Sequence, residues 1–529
     1  MSTLRLLGIC AIATAVAILA PSAIGQDSPA TSAQTPAAGQ PAARRILPPS
    51  NIKEQVIGEA AVGSEIVTAR STDDHLAWIE KAAGNRTVKL DGKQIGGTYQ
   101  EVSYLRFSND EQHLGFIAKR NSKWVVVLDG EERSSEYGKM TAPALAANGR
   151  LYAVGACREK KCRLVVNGEE VGPEFEDISP PMFVHNSDRY VYFGKRAKKW
   201  VILVDGKESG PEMDGIEQWT TDREGKRIAV AGLLNKQWRW IVDGTPGPGF
   251  DVLSEITFSP DGKHYAYGAT EAKWGFSKHK TRGVIVEDGR VLGTYEGSGF
   301  GGGWQSMFGA SYEIVTGVRQ LFPDFHGVSD PQYTSDGALV YAGRRGQGDV
   351  SVYLDGVAGP VFEDVVSPII IAGESNRMAY VGKRGDQFIE VRNQKPGASF
   401  PGKRELSFVP FMVLSHDGDH LAYEIVRGGG QFKAGYTSRA LRRMVIDGQA
   451  AAEYDAFGIV DFEFSSDNRR HFYVVRGAEG RRDRVIFNGF EGRLYDDVFL
   501  RSTKFIDEQS IEFIAQDGLR FLRVTQRID

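Results

Sequence analysis

The sequence predicts an all-β chain folded as a β-propeller, built from about eleven four-stranded antiparallel blades of about 38 residues each. The first observation is a repeated turn. An Asp-Gly or Asn-Gly pair recurs at Asp91, Asp129, Asn167, Asp205 and Asp243, each 38 residues after the last, and returns at Asp288, Asp355, Asp447 and Asn488. Asn393-Gln394 fills the slot 38 residues after Asp355. Each pair follows a β-rich run such as Trp124–Leu128 or Val201–Val204. A run, a two-residue turn and a second run make a hairpin, because a type I′ turn needs positive φ at both central positions. The second observation is an aromatic or Met seven or eight residues past each turn: Tyr99, Tyr137, Phe175, Met213, Phe250, Tyr295, Phe362, Tyr454, Tyr495. At that fixed depth on the second strand it can pack between neighbouring sheets. The third is another hairpin in every unit, clearest over Ile256–Tyr267 and related at Leu105–Phe116, Pro331–Tyr341, Met412–Tyr423 and Asp461–Val474. Each unit thus carries four strands, A to D.

Phe258-Ser259-Pro260-Asp261-Gly262, followed by His264-Tyr265-Ala266-Tyr267, resembles the WD-repeat-like blade of TolB-type bacterial periplasmic propellers. The resemblance covers the blades from about residue 65 onward. It implies the fold and an exported compartment, and it carries no catalytic residues.

Taken in order, residues 1–25 read as a signal peptide. Arg5 supplies the positive start, Leu6–Ala20 the apolar run, and Ala23-Ile24-Gly25 the small-x-small cleavage pattern. The run is short for a membrane span, and no second candidate follows, so the mature chain is expected to have none. Cys10 does not make a lipoprotein site, because Ile9 precedes it where a small residue is wanted. Residues 26–53, rich in Ala, Pro, Ser, Thr and Gln, read as a disordered tether. Residues 54–66 supply a strand that closes the last blade, which otherwise has only three; sharing a blade between the chain ends removes an open sheet edge. Units one to six occupy 67–300, a Gly/aromatic insertion 301–330, and units seven to eleven 331–529. Because propellers usually have four to eight blades, two rings are favoured over one large ring.

Function is sought where the repeat breaks. The long connections Thr270–Gly283, Ser298–Asp330 and Arg427–Arg442 are all B–C or D–A loops, which share one face of an up-and-down blade. Trp274, Phe300, Trp304 and Phe308 are candidate anchors there, with Lys278, Lys280, Arg442 and Arg443 as candidate steering charges. The stretch Ser298–Phe308 reads equally as a sticky loop or a linker between rings. Most B–C loops are basic, whereas Asp129, Glu131, Glu132, Glu169 and Glu170 are placed on the opposite face. That pattern predicts a polarised molecule attracting an anionic partner, or tips that are merely solvated.

Cys157 and Cys162 flank a four-residue turn and are expected to form a disulfide; a zinc pair would need two further ligands that no neighbouring His supplies. Five of the nine His, at 75, 113, 264, 420 and 471, stand at or beside the start of strand B and read as a blade feature rather than as ligands. There is no Gly-x-Ser-x-Gly elbow, Walker loop or EF-hand loop. No cofactor or metal is expected. With 64 basic and 68 acidic side chains, net charge −4, the chain is not committed to nucleic acid. The reading is an exported, monomeric binding scaffold for a protein or an anionic envelope glycan. The alternative is a carbohydrate-active or peptide-processing enzyme with residues at the channel mouth.

Overall fold

The two-residue turns take the conformation their sequence demands: Asp91, Asp129, Asn167, Asp205 and Asp243 all have φ between +48° and +52°, each followed by a glycine at positive φ. The computed structural model describes residues 42–184, 187–272, 280–298, 328–346, 349–373, 375–401, 411–427, 440–477, 482–500 and 502–528. Within them the chain is a β-propeller of successive antiparallel leaflets. In each, an inner strand A pairs with B, B with C, and C with an outer strand D. Leaflet one, for example, is Glu65–Ser71, Leu76–Ala82, Asn85–Leu90 and Lys93–Tyr99. The ninth and tenth share one nine-stranded sheet, because Tyr454–Phe464 runs unbroken from the end of one leaflet into strand A of the next.

Closure follows the expectation, slightly displaced. Ile52–Glu59 pairs antiparallel with Arg520–Arg527, from Ile52↔Gln526 to Glu59↔Arg520, and supplies the outer strand of the last leaflet. The expected tether is shorter than read. Arg45–Ile46 pairs in parallel with Phe490–Glu491, and Leu47 is buried beside it. Arg44 stacks on Tyr454 and pairs with Glu491, while Arg45 lies over Phe490. Two arginines and the buried Leu47 give this stretch a reason to dock that composition alone hid. Residues 1–41 lie outside the described residues.

Apolar clusters sit between consecutive leaflets, not within them. Ala77 and Ile79 pack with Phe116 and Val125, Ile117 with Val154, and so on along the chain to Phe472 with Phe513. Leu76 and Trp78 of the first leaflet then pack with Ile514 and Phe521 of the last. The junction of leaflets six and seven has its own cluster, Ile285 and Tyr295 with Tyr341 and Tyr353. The packing therefore follows one circuit, which corrects the preference for two rings: no cluster among the described residues ties leaflet six back to leaflet one. Each D-strand aromatic or Met is buried in such a cluster, as expected.

Candidate functional site

Of the anchors and charges picked from sequence, Trp274, Lys278, Phe300, Trp304 and Phe308 lie outside the described residues. Lys280 begins the strand Lys280–Glu287. Arg442 and Arg443 are corrected: they belong to the strand Ala440–Ile446 rather than to a loop tip. Arg443 is buried, and Arg442 pairs at 2.8 Å with Glu424, itself 1% exposed, and donates to the Ala456 carbonyl. Cys157 and Cys162 lie directly across from each other on adjacent strands and are disulfide-bonded.

The expected separation of charge is also corrected. In leaflets two to four the basic B–C tips are neutralised by carboxylates from strand D of the same leaflet. Arg120 meets Glu132 at 2.9 Å, Arg158 pairs with Glu170, and Arg196 meets Glu208 and Glu212 at 2.6 and 3.0 Å. Strand D runs back along strand C toward the tip, so acids just past the Asp-Gly turn come within reach of it. Arg345 of leaflet seven and Arg384 of leaflet eight differ. Their guanidiniums lie 5.3 and 5.2 Å from the ring centres of Tyr353 and Phe362, with no carboxylate partner among the described residues. Arg384 also donates to the Val361 carbonyl.

On the turn face a ladder of His–Asp and Arg–Asp pairs repeats. The residue that starts strand B meets one oxygen of the turn Asp: His75 with Asp91, His113 with Asp129, Arg189 with Asp205, Arg227 with Asp243, His264 with Asp288 and His420 with Asp447, all at 2.6–3.0 Å. The other oxygen accepts the next backbone N–H, as from Leu76, Leu114 and Ile228. Four of the five strand-B histidines are thus blade features, as expected. His471 is not, because it stands one position later and faces inward, with its ring parallel to those of Phe462 and Tyr473. Leaflet seven breaks the ladder: Ala338 occupies the place of the His or Arg, and Asp355 accepts only the Leu339 N–H among the described residues.

The broken rung lines a cavity of about 480 Å³ between leaflets six and seven, bounded by Glu287, Leu292, Tyr295, Tyr341, Arg345, Tyr353 and Asp355. Tyr341 and Tyr353 stack with centroids 5.0 Å apart; Tyr295 meets both edge-on and donates to the Tyr341 hydroxyl at 2.9 Å. Burial holds all three hydroxyls above the usual tyrosine range. Some junctions close by contact of small residues, and a methyl placed on Gly130 would lie 2.9 Å from the Gly96 nitrogen; one on Gly356, as on Gly448 and Gly489, would meet nothing. The signal was present in the sequence as Ala338 in a slot that His or Arg holds before the other six of these turn aspartates.

A different feature suits acid–base chemistry. Burial, then the charges of Asp461 and Asp73, push Glu463 up to about 7. Among the described residues, no three His, Cys, Asp or Glu side chains converge to hold a metal.

No family model and no curated protein matches the chain. Solved structures do. It is similar to the tricorn protease, at 13% identity over 80% of this chain and 42% of that one, with a TM-score of 0.28. It is similar to TolB from Acinetobacter baumannii, at 12% identity over 46% and 62%, with a TM-score of 0.23. It is also similar to the β-propeller domain of the Trilobed protease from Pyrococcus furiosus, whose topology is described as an open velcro, at 14% identity over 64% and 95%, with a TM-score of 0.23. This chain spans about two fifths of the tricorn protease chain and under two thirds of the TolB chain. At these scores the fold rests on the sheets themselves.

Proposed function

We propose that the protein is an exported binding scaffold that engages an anionic macromolecular partner through the face carrying the B–C and D–A loops, centred on leaflets seven and eight. The observation that carries this is the pair Arg345 and Arg384. Their charge is spread over an aromatic ring and not cancelled by a carboxylate, as it is at Arg120, Arg158 and Arg196. A cation held on a ring is pre-oriented, and an arriving carboxylate, phosphate or sulfate can reach the N–H groups that remain uncommitted. The apolar start at Leu6–Ala20 and the Cys157–Cys162 disulfide support export. No helix among the described residues is long and apolar enough to cross a membrane. The test is capture from an envelope extract by the wild-type chain and by Arg345→Ala/Arg384→Ala, at low and high salt. A partner retained by wild type, released by salt and lost with the double variant is the expected result. A partner held equally by both chains overturns the assignment.

The second reading, a carbohydrate-active enzyme, is favoured only by Glu463, whose carboxyl sits near the range of a general acid at neutral pH. Turnover of a glycan panel that is abolished by Glu463→Gln would replace the first reading with this one.

A further inference from the structure

We infer that the cavity between leaflets six and seven is a docking site for an extended peptide segment bearing a Lys or Arg side chain, whose cation takes the place left empty by Ala338. The inference does not depend on the partner face proposed above.

The broken rung comes first. At six leaflets the turn Asp has a His or Arg side-chain nitrogen within 3.0 Å, and at leaflet seven it has none among the described residues. A carboxylate that accepts one backbone N–H and faces a cavity retains unused acceptor capacity. Glu287 adds a second carboxylate to the same cavity and accepts the Tyr333 hydroxyl at 2.8 Å. The rings of Tyr295, Tyr341 and Tyr353 supply walls of the kind that attract ammonium and guanidinium groups through their faces. Arg345, which also lines the cavity, already uses this property on Tyr353.

The second observation identifies the occupant as a strand. Arg290–Ser298, the outer strand of leaflet six, has nine residues, contains no proline, and leaves Val291 and Leu292 about half exposed. Most outer strands elsewhere are blunted, Lys93–Tyr99 and Ile52–Glu59 being the other long ones without proline. Glu131–Glu132, Lys207–Glu208, Thr245–Pro246 and Val357–Ala358 are two residues long, and Pro173 and Pro396 interrupt Glu169–Phe175 and Lys395–Pro401. Short length, charge and proline are the ordinary means of keeping an edge from pairing. This molecule also shows that an outer edge can accept a further strand, since Arg45–Ile46 pairs beside Phe490–Glu491. A segment added to Arg290–Ser298 would project alternate side chains toward leaflet seven. Leu292, Gly293 and Thr294 already form that wall of the cavity. Main-chain bonds would hold the segment, and the pocket would select a basic side chain.

The test uses the full chain and two synthetic probes, acetyl-Thr-Val-Arg-Val-Thr-amide and the same peptide with neutral citrulline for arginine, titrated by calorimetry. The arginine peptide should bind and the citrulline peptide should be about tenfold weaker or worse, as loss of a charge-assisted bond implies. Ala338→Arg supplies the rung from within, as Arg189 and Arg227 do, and should abolish binding with the melting temperature kept. Asp355→Asn should weaken binding similarly; Asn already serves the same turn at Asn167, accepting the Tyr152 N–H, so the fold tolerates it. Equal binding of the two peptides, or unchanged binding by Ala338→Arg, overturns the site. Acetyl-arginine amide binding as tightly as the pentapeptide overturns the strand addition. The proposed partner face is read separately, by Arg345→Ala/Arg384→Ala.

Discussion

The ring of Phe362 lies over Gly382 of the next leaflet so closely that a methyl group on Gly382 would come 2.4 Å from the ring carbon Cγ. Phe175 over Gly194, Met213 over Gly232 and Tyr295 over Gly343 repeat the relationship, at 2.4, 2.3 and 2.4 Å. The D-strand aromatic and the B-strand glycine form a knob and a hole that set the spacing of consecutive leaflets. Gly382→Ala should therefore cost about 1–3 kcal/mol through overpacking. Gly346→Ala, where nothing lies within 4 Å of the added methyl, should be neutral or slightly stabilising. Urea unfolding of the two variants checks the contrast, and equal midpoints would remove the knob-and-hole account.

Half of that relationship was legible beforehand. The aromatics stand at a constant distance from the Asp-Gly turns, so their depth could be read as period and packing. The glycines recur too, at Gly155, Gly194, Gly232, Gly343 and Gly382, but a glycine inside a strand reads as a weakness until the ring above it is known. Arg442 and Arg443 misled because the strand begins at Ala440, so of the residues read as a loop end Arg443 is buried and Arg442 is tied to the buried Glu424. One circuit or two could not be read, because each junction is built from the same local pattern either way. Long-range contacts between the first and last leaflets, such as Trp78 with Phe521 and Leu76 with Ile514, decide it.

Arg442, read from sequence as a binding residue, should act on stability. Its partner Glu424 is 1% exposed, and burial holds that carboxyl above the usual range despite the arginine. Arg442→Ala leaves the carboxylate buried without its cation and should destabilise by about 3–5 kcal/mol. Removing both charges, as in Glu424→Gln/Arg442→Met, should recover most of that loss. Denaturant midpoints of the single and double variants test this. A double variant as unstable as the single one would mean that packing, not charge, is responsible.

His471 gives stability a pH dependence of definite sign. Burial among aromatic rings lowers it to about 4 from an ordinary 6.5, so the folded state prefers the neutral ring. Above about pH 6.5 neither state is protonated, and the residue contributes no penalty. As pH falls from 6.5 toward 4 the unfolded chain gains a proton that the folded chain refuses, and up to about 3 kcal/mol is lost. His264 has the opposite sign: its hydrogen bond to Asp288 raises it, so its contribution is present at low pH and fades as pH rises, and its exposure keeps that contribution small. His471→Phe keeps a stacked ring and cannot protonate. The difference in unfolding free energy between wild type and this variant should change across pH 6.5–4 and stay constant above 7. A constant difference throughout would show that His471 titrates normally.

Closure of the circuit depends on Glu54. It accepts from the Tyr495 hydroxyl at 2.7 Å and from Arg493 at 2.7 and 2.8 Å, fastening Ile52–Glu59 to the leaflet before the one it completes as well as to its own. A chain beginning at residue 42 keeps every one of these contacts and should melt like the longer protein. A chain beginning at residue 61 leaves Arg520–Arg527 as an uncovered edge and strips Gly58 from the face of Trp78. Exposed edges of that length pair with other chains. The shorter chain should lose its cooperative transition and associate in light scattering, and a synthetic peptide spanning 42–60 added in trans should restore both behaviours. With Glu54→Ala in that peptide, rescue should need a higher concentration, because strand pairing remains but the link to Arg493 and Tyr495 is gone. If the chain beginning at 61 stayed monomeric and cooperative without peptide, the N-terminal strand would be decoration on a circuit that closes by other contacts.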